Sequence, residues 1–252
     1  MITTGYSVRA FACALVLALL GGAAQAADVQ VAVAANFTEP AKLIATAFEK
    51  KTGDHVALSF GASGQFYTQI KSGAPFEILL SADADRPAQA EKDGLAVPGT
   101  RFTYATGQLV LYSATPGKVD AKGQVLKTGA FDKLSVADPA VAPYGVAAMQ
   151  TLDKLGVTAA VQPKIVKGAS IGQAWQFVQS GAADVGFVAL SQVINEKGGS
   201  RWIVPESMHA PIDQQAILLK TGADDPEAKK FLAFLKGGEA RAIIKSYGYT
   251  VH

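Results

Sequence analysis

The chain has 252 residues, of which 49% are hydrophobic and 17% are charged. Charged residues make up about 25% of an average soluble domain, so this composition excludes a disordered chain and indicates a lightly charged globular protein. The 23 basic and 21 acidic residues are mixed along the sequence and give a net charge of +2. Because no basic block stands out, we expect no nucleic-acid partner.

The first 26 residues have the pattern of a cleaved export signal. Arg9 is their only charged residue, an apolar run follows over 10–20, and residues 24–26 form an A-x-A cleavage site. The run is shorter than the ~20 residues of a membrane span, although a retained anchor is the alternative. We expect cleavage after Ala26. Since Cys13 lies in this leader, the exported chain contains no cysteine and must fold without a disulfide.

Strands and helices alternate along the exported chain. In its first part, β-rich runs predict strands at 29–35, 55–60 and 78–80, with helical patterns at 38–51 and 61–73 between them. This order favours a parallel sheet with helices on its faces. The second part repeats the theme, with expected strands at 108–113, 134–137, 165–167 and 185–190 and helices beginning at 143, 170 and 225.

Two stretches of the chain echo each other. Residues 61–81 and 168–191 both contain Gly-Ala-Ser, then a helical pattern, Ser-Gly-Ala, and a strand that ends in Leu-Ser. A chance match is the alternative. Taken as a repeat, the echo predicts two similar α/β lobes that face each other, with a ligand beyond the carboxyl ends of their strands.

Four connections share one character: 35–38, 61–64, 143–145 and 168–171 are small or polar, and each leads into a helix. The first N–H groups of a helix have no partner within it, and each helix start behaves like roughly half a positive charge. Four converging starts would offset about two negative charges, which describes a site for a small dianion held by dipoles. Ordinary helix caps are the alternative interpretation.

Motifs of enzymes are mostly missing from the sequence. Ser63 misses the G-x-S-x-G pattern by one position, and there is no P-loop. The sequence Tyr247-Gly248-Tyr249 could ligate ferric iron with its phenolates, but aromatic packing at a helix end is the simpler interpretation. We therefore expect a binding protein that has no catalytic residue and no cofactor. We also expect no metal-ion ligand, because the three histidines lack metal-ligand spacing: His55, His209 and His252.

Several short motifs, in order, resemble the periplasmic molybdate-binding proteins of ABC importers. They are AANF at 34–37, SFGASG at 59–64, GAP at 73–75, LSAD at 80–83, DP at 138–139, APYG at 142–145, GAADVGFVA at 181–189 and YGY at 247–249. The resemblance covers essentially all of 28–252. It implies a two-lobed α/β fold of the venus-flytrap kind, in which each lobe is a mixed, mostly parallel sheet flanked by helices.

This resemblance also implies the division into lobes and the function. Lobe one is expected at 27–106 plus 218–252 and lobe two at 107–217, with the chain crossing at 107–113 and 214–219. The implied function is a monomeric periplasmic receptor that binds molybdate, and tungstate as well, in the cleft and delivers it to a membrane permease. Carried over by position, the anion contacts are Ala35, Asn36, Ser63, Tyr144 and Ile171.

The chain departs from some members of that family at two positions. Ala189 stands where they supply a tyrosine hydroxyl, and Asn36 stands where they have serine. Whether Tyr144 gives its hydroxyl or only its backbone N–H is therefore open. Sulfate, which is also fully ionised, remains an alternative ligand. Phosphate and a small-anion hydrolase or transferase are less favoured, because Glu39 is the only carboxylate in the four loops that could accept a proton.

Overall fold

The computed structural model describes residues 1–2 and 28–251. The predicted leader, with its cleavage site after Ala26, lies outside the described residues except for the first two. Within the described part of the chain, no helix is long and apolar enough to span a membrane.

Ten strands and ten α-helices make up most of residues 28–251. The strands are β1 (Val29–Ala34), β2 (Val56–Gly61), β3 (Ile78–Ser81), β4 (Phe102–Gly107), β5 (Leu109–Ser113), β6 (Leu134–Ala137), β7 (Ile165–Gly168), β8 (Val185–Ala189), β9 (Ser200–Ile203) and β10 (Ile212–Leu218). The helices are α1 (Thr38–Thr52), α2 (Ser63–Lys71), α3 (Asp85–Lys92), α4 (Val125–Thr128), α5 (Pro143–Leu155), α6 (Thr158–Val161), α7 (Ile171–Gln179), α8 (Leu190–Val193), α9 (Pro226–Leu235) and α10 (Gly238–Ser246). Short 3-10 turns lie at Ala35–Phe37, Gln162–Lys164, Glu206–Met208 and Lys220–Gly222.

The strands form two five-stranded sheets built on one plan. The first has the order β2-β1-β3-β10-β4, and the second has the order β7-β6-β8-β5-β9. In the first sheet β1 is parallel to β2 and β3, while β10 is antiparallel to β3 and β4. In the second, β6 is parallel to β7 and β8, while β5 is antiparallel to β8 and β9. The predicted fold class, two mixed α/β lobes, is confirmed.

The chain passes between the two sheets in two places. Gln108 alone separates β4 in the first sheet from β5 in the second, and residues 204–211 lead back from β9 to β10. We expected 212–217 in the second lobe, whereas β10 pairs with β3 and β4. The partners of β10 lie more than a hundred residues away, so its local sequence does not reveal which sheet it joins. By strand pairing, we place the second lobe at 108–211.

Each lobe has its own hydrophobic core. In the first lobe, Phe48 of α1 is 1% exposed and packs edge-on against Phe231 and Phe234 of α9, with ring centroids 5.2 and 5.7 Å away. In the second, β5, β6 and β8 pack against α5. Small side chains of the first lobe also pack against the core of the second, namely Ala34, Ala35, Ala62 and Ala82. Alanines at this boundary allow the backbones of the two lobes to approach closely.

We predict that Phe48→Ala destabilises the protein by about 3–5 kcal/mol, because it leaves a cavity between α1 and α9. For a chain of this size, the melting temperature should fall by roughly 6–20 °C, which calorimetry can measure. Leu43→Ala, on the exposed face of the same helix (46% exposed), is the control and should change stability by less than about 0.5 kcal/mol. Equal losses in the two variants would contradict this assignment of the core.

Candidate functional site: a cavity between the lobes

The four connections singled out in the sequence meet at one place between the sheets. The turn Ala35–Phe37 follows β1, α2 follows β2, α5 follows β6, and α7 follows β7. They border a small cavity with about 10 Å³ of space for a water-sized sphere. All five predicted contact residues line this cavity, three from the first lobe and two from the second: Ala35, Asn36, Ser63, Tyr144 and Ile171.

Three helices begin at the cavity. Ser63 and Ile171 are the first residues of α2 and α7, and Tyr144 is the second residue of α5. N–H groups in the first turn of a helix have no acceptor within that helix, and they carry the positive end of the helix dipole. No charged side chain is among the described residues that line the cavity. The positive potential there therefore comes from backbone groups.

Ser63 is held in place by the loop after β3. Its side-chain oxygen accepts a hydrogen bond from the backbone N–H of Ala82 at 2.9 Å, and the residue is 1% exposed. A hydroxyl that already accepts such a bond has its own proton available for a further acceptor. The hydroxyl of Ser63 is therefore prepared to donate at the edge of the cavity.

Tyr144 is held in the same way by the other lobe. Its hydroxyl oxygen accepts from Nε2 of Gln214 at 3.3 Å, and the residue is 1% exposed. The hydroxyl lies directly over Gly107, where a Cβ atom would come within 2.1 Å of it. Glycine is therefore required at the end of β4 for Tyr144 to reach this position.

Asn36 has the opposite role, because its side chain is engaged inside the protein. Its Nδ2 donates to Oε1 of Gln214 at 2.8 Å and to the hydroxyl of Tyr249 at 2.9 Å. Both amide protons are thus used in holding the turn Ala35–Phe37 against the first lobe. What remains on the cavity side is the backbone of the turn, where N–H groups are available to a ligand.

Gln214 joins these groups, and sequence reasoning missed it. It is completely buried in β10, next to an irregularity in the pairing between Gln214 and Gln215. Besides its bonds to Asn36 and Tyr144, it accepts from the hydroxyl of Tyr104 at 3.0 Å. Bulges often redirect a side chain next to a site. A glutamine pair inside a strand is the signal that could have pointed to this residue.

Tyr249 was interpreted as a packing residue, and packing is only half of its role. Its ring lies edge-on to Phe37, with centroids 5.5 Å apart, as expected for an aromatic residue on the core. Its hydroxyl, however, is part of the hydrogen-bonded network around Asn36 and lies 2.9 Å from the Asn36 carbonyl oxygen. Those contacts engage the hydroxyl with protein groups. Among the described residues, no cluster of His, Cys, Asp or Glu could hold a metal ion.

The tyrosines of this network stay neutral over a wide pH range. Burial raises the pKa of Tyr144 and that of Tyr104 well above 10. Burial also raises the pKa of Tyr249 to about 12, against hydrogen bonds with Ser191 and Asn36 that lower it. A raised phenol pKa means that the proton is lost only at high pH. The hydroxyls therefore remain hydrogen-bond donors at neutral pH.

Residues 29–250 match the family model of bacterial extracellular solute-binding proteins. The chain is 56% identical over 245 residues to the molybdate-binding protein of Rhodobacter capsulatus, with 97% of each chain covered. Among solved structures, the periplasmic molybdate-binding protein of Azotobacter vinelandii has a TM-score of 0.87 and 42% identity, covering 89% of this chain and 100% of that one. The sulfate-binding protein of Mycobacterium tuberculosis, at 15% identity and a TM-score of 0.74, covers 89% of this chain and 86% of that one and shares the fold alone.

Proposed function

The chain belongs to the bacterial extracellular solute-binding proteins, in the group of molybdate-binding proteins, and we propose that it binds molybdate in the cavity between its lobes. Family membership confirms the expectation of a solute receptor rather than an enzyme. In this proposal the protein is a periplasmic monomer that carries the anion to the membrane permease of an ABC importer. Tungstate, which has the same charge and tetrahedral shape, is the second ligand.

One observation carries the proposal: the cavity offers donors and no counter-charge. The hydroxyl of Ser63 accepts a bond from the protein and so retains a proton to donate outward. The hydroxyl of Tyr144 accepts from Gln214 and also bonds to Tyr249, and in this proposal its proton turns to the anion when the anion binds. The starts of α2, α5 and α7 add backbone N–H groups. A ligand that suits these groups accepts hydrogen bonds on all sides and carries negative charge, as a fully ionised oxyanion does.

Phosphate and sulfate, the two rival anions, differ from molybdate in protonation and in size. Phosphate carries a proton near neutral pH and needs a strong acceptor for it, and no carboxylate is among the described residues that line the cavity. Sulfate has no such proton and differs from molybdate mainly in size. The identity of 56% to a molybdate-binding protein favours the larger anion.

The direct test is calorimetric titration of the exported chain with molybdate, tungstate, sulfate and phosphate in parallel. We expect molybdate and tungstate to bind with similar affinity, and sulfate and phosphate to bind at least a hundredfold more weakly. Sulfate binding that equals molybdate binding would overturn the proposal and favour a sulfate receptor.

We predict that Ser63→Ala weakens molybdate binding 10- to 150-fold, because a hydrogen bond to a charged acceptor is worth roughly 1.5–3 kcal/mol. Tyr144→Phe should cost about as much, since the hydroxyl takes the place of the donor that Ala189 lacks. The matched controls are Ser113→Ala and Tyr112→Phe, whose buried hydroxyls bond to Asp184 and Gly198 within the second lobe. If Tyr144→Phe leaves the molybdate affinity unchanged, the loop that leads into α5 contributes only its backbone N–H groups.

Molybdate affinity should be nearly constant from pH 6 to pH 9. The donors are backbone amides and hydroxyls, and the raised pKa values keep Tyr144 and Tyr249 protonated until the pH exceeds 10. Affinity should fall only as the pH approaches those values, when a phenolate would repel the anion. Titrations in a series of buffers measure this, and a tenfold change between pH 6 and pH 9 would show that a histidine or carboxylate takes part.

A further inference from the structure

Ser191 makes a buried contact between the lobes that the anion site itself does not require. It lies in α8, directly after β8 of the second lobe. Its hydroxyl donates to the backbone oxygen of Asn36 at 2.7 Å and lies 2.9 Å from the hydroxyl of Tyr249. Both partners belong to the first lobe. All three residues are buried, with exposures of 6%, 2% and 5% for Ser191, Asn36 and Tyr249.

The partners of Ser191 are bonded to each other independently of the second lobe. Tyr249 accepts from Nδ2 of Asn36 at 2.9 Å, and its hydroxyl also lies 2.9 Å from the Asn36 carbonyl oxygen. The first lobe thus presents a preassembled pair of polar groups. The contact with Ser191 adds a bond from the second lobe to this pair in the arrangement that the structure shows.

The contact acts on the same turn that lines the anion cavity. Ala35 and Asn36 border the cavity, while the carbonyl oxygen of Asn36 is bonded to Ser191. Nearby, the backbone N–H of Gly64 donates to the carbonyl oxygen of Val141 in the other lobe at 2.9 Å. The Ser191 bond and the wall of the cavity are therefore connected through one short segment of backbone.

We propose that Ser191 is a closure residue, which slows anion release by bonding the second lobe to Asn36 and Tyr249. It does not touch the anion in this proposal, and it acts by stabilising the closed arrangement. The proposal rests on the proposed function for the identity of the anion, but the contact itself does not depend on which oxyanion is bound.

The experiment measures the kinetics of molybdate binding and release by stopped-flow fluorescence. We expect Ser191→Ala to release molybdate about tenfold faster, to bind it at a rate within twofold of wild type, and to keep the melting temperature of the ligand-free protein. A tenfold change in rate corresponds to about 1.4 kcal/mol. The matched control is Ser135→Ala, a buried serine that donates to Ala174 within the second lobe at 2.9 Å. It should lower the melting temperature and leave the release rate unchanged.

A second readout does not require molybdate. Because the exported chain has no cysteine, spin labels can be placed at Lys42→Cys and Gln179→Cys, on α1 and α7 of opposite lobes. Double electron–electron resonance measures the distances between the labels with and without molybdate, tungstate, sulfate or phosphate. Ser191→Ala should shift these distances away from those of the closed population. Wild-type protein that fails to bind molybdate refutes the proposed function, and the distances then decide the role of Ser191. Unchanged distances and an unchanged release rate would overturn that role.

Discussion

The hydrogen bond between the side chains of Asn36 and Gln214 is the interaction on which the site depends. A buried amide is costly unless its partners are present, so the bond from Asn36 Nδ2 to Gln214 Oε1 constrains both side chains, while Oδ1 of Asn36 is buried without a partner. Asn36 is thereby turned inward, and the turn after β1 presents its backbone to the cavity. The same Gln214 bonds to the hydroxyl of Tyr144 across the lobes. One amide thus sets the positions of groups from both halves of the molecule.

The site and the connection between the lobes share atoms. Gly107 is the last residue of β4, separated from β5 only by Gln108, and it is the residue over which the Tyr144 hydroxyl lies. Gln214 is the third residue of β10, just after the return connection at 204–211. Any rotation of one lobe against the other at these two crossings also moves Tyr144 relative to Gln214. Closure and the geometry of the donors are consequently coupled through covalent connections as well as through contacts.

Local sequence patterns predicted much of this architecture, but they did not predict which distant segments contact each other. The helices that begin at Ser63 and Pro143 follow from short sequence signals, so the sequence indicated the loops around the cavity. The helix at Asp85–Lys92, whose apolar residues are only proline and alanine, and the strand at Phe102–Gly107 were missed. Gln214, Tyr249 and Ser191 were missed as network members for another reason. Their bonds to Asn36 span 178, 213 and 155 residues, and nothing near each residue records so distant a partner.

A cavity without a counter-charge must distinguish anions by size. Sulfate and molybdate present the same charge to the same donors, so dipoles alone separate them little. In the closed arrangement, the distances from the helix starts to the centre of the cavity are fixed by contacts such as that of Gly64 with Val141. On the proposed roles, a smaller anion would leave some donors unpaired, and a larger one would hold the lobes apart and stretch the Ser191 bond. On the proposed roles, selectivity therefore resides in how completely the lobes close around the anion.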